Sequence, residues 1–254
     1  MQHMNCLNCN SSVDNNFCPS CGQKTDTHPI TFKHFMLHDL LHGVWHLEKG
    51  ILFTLKEVIT RPGQAALDYI SGKRIRYYNV FYLALLIIAL DVVLLHYKNS
   101  LIPEVENTIP RAEDFGAFIS RFSKIALFSL VPLLALNANL LFKRLRLNFT
   151  EHLIIGGITL LGILLISVFL FLFELLNQLG FPDGIGYLKV TAFLVMLLFP
   201  VWVYQNATRR LYKSWGFLWR IFGFYLLLLT ELLMIITFIS VVFLKGNSQI
   251  YMSV

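Results

Sequence analysis

The sequence predicts an all-α polytopic membrane protein: about five transmembrane helices, preceded by a small four-cysteine zinc ribbon and amphipathic interfacial helices. Three observations carry this. Apolar residues make up 56% of the chain and charged residues only 14%, a balance far from that of soluble domains. The apolar residues collect in five runs, each near the length needed to cross the hydrocarbon core of a bilayer. All four cysteines lie ahead of those runs.

Cys6 and Cys9, then Cys18 and Cys21, form two Cys-x2-Cys pairs separated by eight residues. That spacing lets four thiolates meet one tetrahedral ion, and Pro19, Ser20 and Gly22 supply the tight turn a knuckle needs. Two disulfides, a redox dithiol or an iron site of rubredoxin type are the alternatives. A cytosolic location would keep the thiols reduced, and the spacer is shorter than rubredoxin uses, so zinc is the expected cofactor. Residues 1–28 then read as a zinc ribbon with four cysteine ligands, a segment too small to fold around an apolar core and dependent on its metal instead.

Residues 29–76 read as interfacial helices. A helix over 32–53 would place Met36, Leu40, Val44, Leu47 and Ile51 on one side and His34, His38, His42 and His46 on another, one turn apart. Such a helix suits a bilayer surface. Its histidines could hold a second metal, or form a headgroup-facing strip that gains charge as pH falls. Thr60 is expected to cap a further short helix with Pro62 in its first turn, stopping at Gly72. Lys73, Arg74 and Arg76 follow, then Tyr77, Tyr78 and Tyr82, the order in which a chain enters a bilayer from its cytoplasmic side. Contact of the three cations with anionic lipid headgroups is the expectation.

Residues 77–254 form the expected bundle, with spans near 80–97, 125–142, 152–176, 188–204 and 217–244. The segments before the first span, between the second and third, and around the start of the fifth hold most of the lysines and arginines. This places the N-terminus in the cytoplasm and the C-terminus outside. The formal charge of +6 therefore reports topology and lipid contact, and nucleic acid is not an expected partner. Gly156, Gly157 and Gly162 would let a neighbouring helix approach, and no internal repeat is read. Glu231 lies near the middle of the fifth span, with Asn137 and Asn139 in the second, and polar groups at that depth require partners or a use. Glu151 and His152 stand at the inner mouth of the third span, where they could meet the histidine strip.

The motifs Phe17-Cys-Pro-Ser-Cys-Gly-Gln-Lys24, His38, His42, His46-Leu-Glu-Lys-Gly50, Thr54, Arg61-Pro-Gly63, Tyr69-Ile-Ser-Gly-Lys-Arg74 and Phe149-Thr-Glu-His152 occur together. In these the chain resembles uncharacterised bacterial inner-membrane proteins with an N-terminal four-cysteine zinc ribbon, a family of unknown function. The resemblance implies that His42, His46, Lys49, the Gly-Lys-Arg turn and Glu151-His152 share a pattern on the cytoplasmic face. It implies no activity. The leading expectation is an adaptor or membrane-organising protein acting with lipid and an unidentified protein partner, homo-oligomerisation being a further expectation. A metal-assisted enzyme on a lipid or lipid-linked substrate would use the histidines with Glu151 and His152. A transporter or channel would use Glu231 with Asn137 or Asn139.

Overall fold

The computed structural model describes residues 4–25, 50–101, 129–178 and 185–252. At the N-terminus, β1 (Met4–Asn5) pairs antiparallel with β2 (Ser12–Val13), Met4 facing Val13 and Asn5 facing Ser12. Further on, Phe17 bridges Lys24 in the same sense. Each hairpin is closed by one pair of bonds. The Cys6 N–H donates to Ser11 O and the Asn10 N–H to Cys6 O, while the Cys18 N–H donates to Gln23 O and the Gly22 N–H to Cys18 O. The fourth residue after each leading cysteine is left-handed, Asn10 at φ 63° and Gly22 at φ 74°, and these are two of the residue types that accept that conformation. The two knuckles share this turn geometry without forming a sequence repeat. Only the cysteines match between 6–11 and 18–23, so the likeness lives in the backbone hydrogen bonds rather than in the letters.

Two short helices follow, α1 (Ile51–Thr60) and α2 (Pro62–Ile70). The expected helix over 32–53 is corrected at its end. Gly50 adopts φ 106°, and a Cβ there would lie 2.8 Å from the Arg76 carbonyl oxygen, so the chain turns at Gly50 and Ile51 opens a new helix. Thr60 does not cap α2 either. It ends α1, its hydroxyl donating to Lys56 O at 2.8 Å, and Arg61 takes the cap position with Pro62 in the first turn. Beyond α2 the chain reverses at Gly72, φ 104°.

The remaining helices are α3 (Val80–Leu101), α4 (Ser129–Leu141), α5 (Phe149–Gln178), α6 (Ile185–Thr208) and α7 (Ser214–Met252). Asn79 starts α3 by accepting the Phe81 N–H at 3.0 Å. Asn148 and Glu151 start α5 as a reciprocal capping box, with the Asn148 N–H on Glu151 Oε2 at 2.8 Å and the Glu151 N–H on Asn148 Oδ1 at 2.9 Å. Among the described residues α3, α5, α6 and α7 are long and apolar enough to cross a membrane, and α4 is a shorter apolar helix. The expected five spans therefore stand at four such helices plus α4.

Helix α5 is the axis. Of its span 61% is buried within the chain, against 6% for α7. The glycines explain the contrast: a Cβ on Gly156 would meet Val131 O of α4 at 3.0 Å, one on Gly157 the Phe81 ring of α3 at 3.0 Å, and one on Gly162 would collide with the Phe199 ring of α6. Helix α3 runs parallel to α5, with the Ser167 hydroxyl donating to Asp91 Oδ2 at 3.0 Å further along the pair. Helix α6 returns antiparallel, tied near its start by Lys189 to Glu174 at 2.6 Å. At one end, Phe142 stacks on Tyr204 with ring centres 4.8 Å apart, and Phe217 and Phe224 pack beside them. Arg220 lies over Tyr212 and Trp219 and donates to Leu141 O, joining α4 to α7. That end also carries α1, α2 and the cysteine segment.

Candidate functional site

The four cysteine Sγ atoms lie within 4.8 Å of one another, with Cys6–Cys21 and Cys9–Cys18 each at 3.5 Å. Four sulfurs at about 2.3 Å from a tetrahedral zinc would stand roughly 3.8 Å apart, so the donor set fits such an ion. Each hairpin contributes two sulfurs through its repeated turn, and this is why the pairs converge. Hydrogen bonding from Ser11 holds the Cys9 thiol down at about 6, and the Asn8 side chain leads in lowering Cys21. Burial pushes Cys18 up to about 11. Bound metal would supply the charge that keeps all four as thiolates.

The cluster is fastened to the bundle. Arg76 donates from Nε to Asn8 Oδ1 at 2.7 Å and from Nη2 to Asn8 O at 2.8 Å, and Asn8 lies between the first two cysteines. Behind the last cysteine, Gln23 Nε2 donates to Gly72 O at 2.6 Å in a buried bond. Both knuckles thus grip the turn between α2 and α3.

That turn is itself braced. Arg61 pairs with Glu57 one helical turn back and with Asp68 at 3.4 Å, and Lys73 reaches Asp68 Oδ1 at 2.7 Å. The Tyr77 hydroxyl lies 3.4 Å from both Glu57 Oε2 and Asp68 Oδ2. Burial, then the adjacent Asp68 and Glu57 carboxylates, raises the Tyr77 phenol above its ordinary value. Thr54, almost fully buried, accepts the Tyr78 N–H at 2.8 Å, and Arg74 lies over the Tyr69 ring. A Cβ on Gly63 would collide with Val203 O and Ala207 N, so α2 sits backbone to backbone on α6, and Gln64 donates two hydrogen bonds to Asn206, from its N–H to Oδ1 and from Nε2 to the main-chain oxygen. We call this assembly of α1, α2 and the turn the clasp.

Of the sequence-predicted site residues, the structure brings Cys6, Cys9, Cys18 and Cys21 together. Lys73, Arg74 and Arg76, expected at lipid headgroups, have Asp68, Tyr69 and Asn8 as partners. Glu151 gives an oxygen to the start of α5, and His152 is buried with its Nδ1 unpartnered among the described residues. Asn137, fully buried, donates to Glu231 Oε2 at 2.9 Å, while Asn139 is half-buried. His34, His38, His42 and His46 lie outside the described residues. Sequence reasoning missed Asn8, Glu57 and Asp68, and it gave Tyr77 only a place at the bilayer edge and Gln23 only a place in a motif. The four-residue step from Glu57 to Arg61 was a readable signal. Nothing local marks Asn8 or Gln23 as reaching residues so distant in the chain as Arg76 and Gly72.

These features define a helical membrane protein carrying an N-terminal cysteine cluster able to hold a metal ion. Residues 48–90 match a family described as Protein of unknown function (DUF3667). The match takes in the clasp and the first half of α3, and a family of unknown function is what the motif resemblance implied. No curated protein and no solved structure matches the chain.

Proposed function

We propose that this is an integral protein of the bacterial inner membrane whose zinc ribbon, held on the clasp at the cytoplasmic face, serves as an adaptor for a protein partner or as a membrane organiser. The observation that carries the reading is the exposure of Leu7 (52%) and Phe17 (59%) on a segment whose Asn8 and Gln23 are already engaged with the clasp. Large apolar side chains left open on a small, fastened head support contact with a partner. Five crossings, with the ribbon end inside, are supported by the alternation of helix directions through α4 and by the basic residues of 143–146 and 209–213 at that end. Photocrosslinking in living cells from position 17 tests the role. A discrete adduct that disappears in Leu7→Asp is the expected result. An absence of any protein or lipid adduct would overturn the adaptor reading.

A further inference from the structure

Two cavities open at the ribbon end of the bundle, on either side of Arg209. One, of about 540 Å³, is lined by Gln64, Leu67, Leu145, Asn206, Arg209 and Arg210. The other, of about 320 Å³, is lined by Val201, Thr208, Arg209, Phe217 and Leu218. Arg209 is common to both. The first sets Gln64, Asn206 and the two arginines against Leu67, Leu145 and two further apolar residues, whereas the second lies between α6 and α7 and combines Val201, Phe217 and Leu218 with Gln205, Tyr212 and Ser214.

No acidic residue lines either cavity among the described residues. Two neighbouring cations are otherwise engaged, Arg144 donating to Leu211 O and lying over Tyr212, and Arg220 donating to Leu141 O and Gly216 O, whereas Lys213 lines neither cavity. Arg209 and Arg210 are exposed and make no hydrogen bond or ion pair among the described residues. Two unengaged guanidinium groups, one of them shared with a slot that presents Val201, Phe217 and Leu218, at the end of a helix long enough to cross a bilayer, match an amphiphile with an anionic head.

We propose that these cavities form a binding site for an anionic phospholipid, with its phosphate at Arg209 and Arg210, its headgroup toward Gln64 and Asn206, and an acyl chain along Val201, Phe217 and Leu218. The site rests on the membrane placement proposed above and is independent of the ribbon's role. Arginine is suited to it because its planar fork meets two phosphate oxygens at once, which lysine cannot do. The Gln64–Asn206 pair fixes the polar wall by tying α2 to the end of α6.

The full-length protein, reconstituted in phosphatidylcholine vesicles, provides the test. Trp202, Trp215 and Trp219 stand on α6 and the start of α7, so a brominated lipid seated in the site quenches their fluorescence. Brominated phosphatidylglycerol should quench at about one tenth the mole fraction that brominated phosphatidylcholine requires, and Arg209→Gln/Arg210→Gln should remove that difference. Arg209→Lys/Arg210→Lys should keep only part of it, and Lys213→Gln all of it. Equal quenching by the two lipids in the parent protein would overturn the proposal without recourse to any variant, as would full preference in the double glutamine variant. Displacement of the lipid by inorganic phosphate as readily as by soluble short-chain phosphatidylglycerol would reassign the site to a free anion and overturn the lipid assignment. Quenching by neither lipid would overturn the membrane placement itself.

Discussion

Tyr77 shows how much one clasp residue is asked to do. Its hydroxyl faces Glu57 and Asp68, with Arg61 balancing both carboxylates, and burial with that negative charge favours the neutral phenol. A tyrosine whose folded value is raised contributes stability that is fully present below its unfolded value of about 10 and is lost as pH rises through the folded value. Thermal unfolding across that alkaline range should therefore fall more steeply in the parent than in Tyr77→Phe, and parallel curves would refute the linkage. At membrane depth, Asn137 Nδ2 donates to Glu231 Oε2, while Asn137 Oδ1 has no hydrogen-bond partner among the described residues. Glu231→Gln keeps an acceptor and should unfold within about 0.5 kcal/mol of the parent. Glu231→Leu leaves the Asn137 amide without that partner and should cost about 1 kcal/mol in detergent unfolding.

Among the elements, α2 depends most on close approach. Its Gly63 lies against the backbone of α6, and Gln64 and Asn206 bond only because the two helices come that near. Gly63→Ala drives a methyl group into main chain that cannot rotate away, so a loss of about 1–3 kcal/mol is expected from thermal unfolding. A neutral result would mean that α2 shifts freely on α6. Helix α5 uses the same device three times and becomes the buried axis, whereas α7, lacking such neighbours along most of its length, leaves its apolar surface to lipid.

For the whole molecule, the consequence is a coupling between metal and membrane face. Asn8 and Gln23 reach the clasp only while the two knuckles hold their shape, and a segment this small would rely on a metal at its four cysteines for that shape. Chelation of a metal bound at the four cysteines should raise amide exchange at Gly72–Tyr78 while leaving the α5 core protected. Exchange unchanged at that turn would show that the clasp holds without the ribbon. Lower pH should act as chelation does, since protons compete with metal for the thiolates.

Much of this was legible in the chain itself. Cysteine spacing identifies the cluster because a knuckle is a local turn, hydropathy marks the long helices because every buried peptide group in lipid must be bonded within its own helix, and Pro62 marks the start of α2 through its missing N–H. The break at Gly50 was missed because its cause, the carbonyl of Arg76, lies in another part of the chain. The two knuckles were read from their cysteines, whereas the turn they share is carried by backbone hydrogen bonds. Which cations face lipid and which face protein is likewise not written in a run of basic residues: Lys73 and Arg76 turn inward to Asp68 and Asn8, while Arg209 and Arg210 stay unengaged over a cavity. The residues alone dictate the kinds of parts, since those follow from patterns a few positions long. Which parts meet is set in three dimensions, because each choice of partner depends on groups separated by tens of residues and brought together by packing.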